Sequence, residues 1–184
     1  SLSGALTIVR TQEIVNGVTI TDVTIGVDKL VGSLTLGSVT AALTNGRGAV
    51  MLRQEIDASG GVTNKVAVQA DGDVSVSGMV GVTLAANNLS VTYNRWGEAI
   101  NQTVATPGLD YSVVMSDGET RMRGQATASL AGIVELSGNI FIENRQSQSV
   151  ILTGGEQINV DQLIVGGDNV AAKLLAGGSS ANPI

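Results

Sequence analysis

Cysteine and histidine are both absent from this chain of 184 residues. Without cysteine there is no disulfide framework and no thiol chemistry. Without histidine as well, the commonest general base, the usual nucleophile pairs and the zinc sites are excluded. Only carboxylate, Ser/Lys or Thr chemistry is left to an enzyme, no motif announces a reaction, and the expectation is that the chain is not one. Aromatic residues are 2% of the chain, with one Trp, two Tyr and one Phe. That is too few for the platforms that accompany paired carboxylates in glycoside hydrolysis. Basic residues are also scarce, 10 against 16 acidic ones, for a net charge of −6 and no Lys/Arg cluster, so nucleic acid is not an expected partner. No apolar run approaches the roughly 20 residues of a membrane-spanning helix.

What the chain has is Val, Ile, Leu and Ala, with 24 glycines, in strict alternation. From Met122 to Ile142 the even positions are apolar or small (Met122, Gly124, Ala126, Ala128, Leu130, Gly132, Val134, Leu136, Gly138, Ile140, Ile142), and the odd ones are mostly polar. A period of two means a β face buried on one side. Read as one strand it would span roughly 65–70 Å at about 3.3 Å per residue, with Gly124, Gly132 and Gly138 as candidate corners. Alternation excludes a parallel βαβ sheet, whose strands are apolar on both sides. The expected fold is all-β, an elongated antiparallel sandwich or barrel-like sheet with long strands and tight hairpins.

Turn signals divide the chain. Asn16-Gly17 marks a turn, and Asn45-Gly46 is the strongest hairpin signal, since a type I′ turn needs positive φ at both central residues. With Asn45-Gly46 as a two-residue loop, Ala41 opposes Val50 and Val39 opposes Leu52, apolar against apolar. Asn87-Asn88 sets Leu84 against Val91, and Asp117-Gly118 sets Val113 against Met122. Asp71-Gly72-Asp73 as a three-residue loop sets Val68 against Val76. Arg95 to Leu109 alternates weakly and reads as a loop or distorted strand, whereas Val150–Leu152 and Ile158–Val165 read as short strands. Asp168 to Ala176 reads as a helix capped by Asp168 or as a strand, and 177–184 as a linker or tail.

Leu2-Ser3-Gly4-Ala5-Leu6-Thr7-Ile8 returns as Leu136-Ser137-Gly138-Asn139-Ile140-Phe141-Ile142, an offset of 134 positions. Residues 1–176 therefore read as a single β domain, or as one repeat of about 134 residues plus part of the next. Three phrases, Leu43 to Leu52, Val74 to Gly78 and Leu136 to Glu143, resemble in wording and order the long β-rich repeats of giant bacterial surface proteins. The pattern departs from them around Arg95 to Pro107 and after Arg145. The resemblance implies an elongated β unit at the bacterial cell surface or outside the cell, used for structure or adhesion, with no catalytic residue.

Individual residues add little chemistry. Asp71 and Asp73, and Asp117 and Glu119, flank glycines at spacings that offer oxygen ligands to Ca²⁺, yet neither stretch has the ligand density of a calcium loop and both read as solvated turns. No other cofactor is expected. Trp96, beside Arg95, is read either as a contact anchor or as a cap on one end of the core. Leu2, Leu6 and Ile8 are candidates for contact between copies, because an open sheet offers its edge to a further strand. The expected function is structural: a subunit or repeat of a bacterial filament or giant surface protein, joined to other copies by strand pairing or sheet packing. The alternatives are a β-groove binding lipid or another apolar ligand, and a virion component.

Overall fold

The structure, a computed structural model, describes residues 1–174; the expected tail over 177–184 lies outside them. The described chain is all-β. Its strands are β1 (Leu2–Val15), β2 (Val18–Leu36), β3 (Val39–Ile56), β4 (Val62–Met79), β5 (Val82–Arg95), β6 (Ile100–Val104), β7 (Tyr111–Met115), β8 (Thr120–Leu130), β9 (Val134–Ile151) and β10 (Gln157–Leu174). Eight of them form one antiparallel sheet in the order β1-β2-β3-β4-β5-β8-β9-β10, while β6 and β7 pair separately. The large sheet is open. Of the two expected architectures the barrel is therefore not formed, and a second layer exists only where β6 and β7 lie on the sheet.

Directly opposed residues of an antiparallel pair share a face, so the register sorts the sheet into two surfaces. One row, Leu6, Val27, Gly48, Ala70, Val91, Met122, Ile142 and Val165, crosses all eight strands on the first face. A neighbouring row on the second face reads Thr7, Gly26, Ala49, Gln69, Thr92, Arg121, Glu143 and Ile164. The alternation along each strand thus becomes an apolar face and a mixed, largely polar one. The buried core is on the second face, where β6 and β7 cover Ala49, Met51 and Ala67 with Trp96, Ile100, Val104, Tyr111, Val113 and Met115.

Several expected turns are something else. Asn16-Gly17 is a hairpin, with φ of 52° and 80° and Val15 opposite Val18. Asn45-Gly46 and Asn87-Asn88 instead lie inside β3 and β5, where Asn45 and Asn88 take φ of 55° and 50° and the register slips by one residue. They are bulges. A bulge inserts one residue and moves the apolar set from odd to even positions or the reverse, which is the same parity change that a two-residue hairpin produces. Asp71-Gly72-Asp73 is likewise internal to β4, and Val68 faces Val50 and Tyr93 rather than Val76.

Met122 to Ile142 is not one strand. It folds back at Ala131-Gly132-Ile133, with Leu130 opposite Val134. Three loop residues leave the parity unchanged, so the alternation reads straight through the hairpin. Asp117-Gly118 is a turn, but Val113 pairs with Gln102 in the small sheet while Met122 lies between Val91 and Ile142. Arg95 to Leu109 contains β6. Residues 168–174 belong to β10, so the helix is not formed there, and the expected short strands at Val150 and Ile158 are parts of β9 and β10.

Candidate functional site

The apolar face of the large sheet is covered by nothing among the described residues. Many of its Leu, Ile and Val side chains are open to solvent, among them Ile142 at 36%, Leu84 at 41% and Leu36 at 82%, while Val27, Val50 and Val68 beside them are half-buried. Eight strands about 4.8 Å apart and roughly 14 residues long give a face on the order of 1,500 Å². A stable interface takes about 800 Å² from each partner, and monomers rarely leave an apolar patch of more than a few hundred Å² exposed. The face is also hollowed. A trough of about 370 Å³ is lined by Val74, Leu84, Ala126, Leu136, Ile140 and Val170 among others. Alanines on β5 and β8 make it deep, because they lie between the larger side chains of β4 and β9.

The second face holds the polar chemistry, and that chemistry is occupied by the fold. Arg53 donates two bonds to Asp22, at 2.7 and 2.8 Å, and stacks over the Trp96 ring at 4.9 Å. The Asp22 carboxylate holds the Arg53 guanidinium above its ordinary value. Trp96 itself is buried, 6% exposed, so its ring is not displayed to a partner. At the end of β5, on the first face, Arg95 lies over Tyr93 at 4.8 Å and donates to the Gly118 carbonyl at 3.0 Å. Beneath β7 the Tyr111 hydroxyl donates to Asp71, and burial, followed by that carboxylate, pushes the phenol well above its usual range.

The four acidic residues singled out for calcium are separated in role. Asp71 accepts from Tyr111, whereas Asp73 accepts from Asn45 Nδ2 at 2.7 Å and from the Asn88 backbone N–H at 2.8 Å. The buried Glu119 accepts from Thr92 at 2.9 Å and from the Ser116 N–H at 2.8 Å, and pairs with Arg121 at 2.9 Å. Asp117 stands exposed at its turn. Among the described residues no three Asp, Glu, His or Cys gather to hold a metal ion.

Leu2, Leu6 and Ile8, the residues expected to meet other copies, sit together on the edge strand β1 with 74%, 60% and 59% exposure. They belong to the apolar face. Leu84, Leu136 and Ile142 lie on the same face; their alternation predicts a covered core, and they stand 41%, 42% and 36% exposed because no second layer lies over them among the described residues. No protein-family model matches this chain, and neither a curated protein nor a solved structure matches it.

Proposed function

We propose that the chain is a structural β unit, a subunit or repeat of a bacterial filament or giant surface protein outside the cell, joined to its neighbours through sheet contacts. The observation that carries this reading is the uncovered apolar face. An area near 1,500 Å² at about 25 cal/mol per Å² is a driving force of tens of kcal/mol before the cost of association, so in water the face acquires a cover. A second copy offers the same face and needs no additional partner. The occupied state of the polar groups supports a structural role over a catalytic one.

Light scattering and electron microscopy of the purified protein test the reading. Dimers or longer assemblies at micromolar concentration are expected, and a strictly monomeric species overturns it. The trough favours a second reading, in which an acyl chain or similar apolar ligand lies across β4 to β10. Native mass spectrometry separates the two: bound lipid on a monomer supports the ligand reading, and a lipid-free assembly supports the first.

A further inference from the structure

The bulges carry a pattern that is complete twice and half-built once. In β2, β5 and β10 a residue at positive φ (Lys29, Asn88, Asn169) is followed by an apolar one (Leu30, Leu89, Val170). Leu30 lies between two glycines: a Cβ on Gly4 of β1 would stand 3.1 Å from its Cα, and one on Gly46 of β3 would stand 2.8 Å from its Cβ. Leu89 pairs with Gly72 of β4, and a Cβ on Gly124 of β8 would stand 3.0 Å from its Cα. Leu30 is thus pressed against a glycine on both sides, and Leu89 against Gly124 on one side with Gly72 as its register partner on the other. Val170 has Gly138 of β9 on one side, 3.1 Å from its Cα to an added Cβ. On its other side, among the described residues, there is no strand.

We infer that this place is taken by β1 of a second copy, with Gly4 opposite Val170, so that the sheet continues head to tail from one molecule to the next. The inference rests on the assembly reading above and names the edges that meet. Three further observations carry it. The sheet has an even number of strands, eight in alternating direction, so β1 and β10 run oppositely. A second copy in the same orientation therefore presents β1 antiparallel to β10 with both apolar faces on one side. Both edges are long, at 14 and 18 residues, and exposed, leaving rows of backbone N–H and C=O groups for a new ladder. Finally, Gly4 and Gly138 stand in the related phrases Leu2 to Ile8 and Leu136 to Ile142, and each already serves as the glycine beside a bulge. Two-fold pairing of β1 with β1 does not reach Val170, and pairing of β10 with β10 would have to use Gly166 or Gly167 in place of Gly4; the cross-linking below separates these arrangements.

The register follows from β2 and β3, where Leu30 meets Gly46, Val27 meets Gly48 and Ile25 meets Val50. By that pattern Val165 meets Ile8 of the next copy. The chain has no cysteine, so the single variants Ile8→Cys and Val165→Cys, at sites 59% and 68% exposed, report this contact without background. Within one molecule the two sites are seven strand spacings apart, about 34 Å, too far for a disulfide. Full-length variants are mixed, oxidised mildly and separated without reductant, with the assembly state of the unmodified protein measured by light scattering. A mixed dimer in several-fold excess over either homodimer is expected. A dominant Ile8→Cys or Val165→Cys homodimer, or no cross-link in a protein that does assemble, overturns head-to-tail pairing while leaving the assembly reading in place. A monomeric unmodified protein overturns both.

Discussion

Asp73 acts as a staple between two strands that are not neighbours. Its carboxylate takes the Asn45 amide from the bulge of β3 and the Asn88 N–H from the bulge of β5. These bonds, Asn45 first, hold its pKa below the ordinary value. A depressed carboxyl contributes stability that is present above its unfolded pKa, about 3.9, and is lost as pH falls through the folded value. Asp57 and Glu143 are depressed as well, by Ser59 and by Arg145, so the whole protein weakens in acid. Asp73→Asn is expected to lower the urea midpoint at pH 6, and the difference from the unmodified protein to shrink as pH approaches 3. A difference that does not change with pH would exclude the carboxylate as its cause. Tyr111 works in the opposite sense. Its phenol is raised by burial and by Asp71, so its contribution is present below the ordinary tyrosine pKa near 10 and is lost as pH rises through the folded value. Tyr111→Phe is expected to cost about 1–3 kcal/mol at neutral pH by leaving the Asp71 oxygen without its donor. In the unmodified protein, the absorbance change of Tyr111 ionisation is expected only together with alkaline unfolding.

At the scale of the strand, the bulges set where the apolar set changes parity, and their backbone is specific. Asn88 holds φ of 50°, a conformation open to Asn and Gly and costly to β-branched residues by about 1–2 kcal/mol. Asn88→Gly is expected to leave stability in urea nearly unchanged and Asn88→Val to lower the unfolding free energy by that amount; equal effects would mean that the side chain matters more than the backbone. The same residues explain what the sequence could and could not disclose. Alternation identified the strands and, through Ala41 and Val50 or Leu84 and Val91, the fact that parity changes between them. Whether the chain turns back or adds one residue and continues is decided by pairing partners far along the chain, such as Gly72 opposite Leu89. Nothing local to Asn45-Gly46 or Asn87-Asn88 distinguishes the two. At Ala131 to Ile133 the opposite confusion arises, because a three-residue turn keeps parity and leaves no mark on the pattern. The position of Trp96 was equally hidden, since its burial depends on β6 and β7 folding onto β3 and β4.

At the scale of the molecule, one face of the sheet determines what the protein can be. Leu52 and Ile142 lie on it, 41% and 36% exposed in the single chain. Each is also partly covered by its strand neighbours, and the aliphatic stem of a lysine keeps part of that contact while its ammonium reaches water, so the chain is expected to stay folded. In an assembled state the same lysines are enclosed between two apolar sheets without a partner, and an uncompensated buried charge costs about 3–5 kcal/mol. The double variant Leu52→Lys/Ile142→Lys is therefore expected to lose contacts between sheet faces and to sediment as a smaller species than the unmodified assembly, with its far-UV circular dichroism unchanged. Apolar contact is strengthened by sulfate, so sulfate is expected to increase the size of the unmodified assembly and to have little effect on the variant. If the variant assembles as before, the apolar face is not the contact, and the open edges β1 and β10 alone must hold the copies together. If it unfolds instead, the face is part of the molecule's own stability, and the sheet is held by its side chains as well as by its ladder.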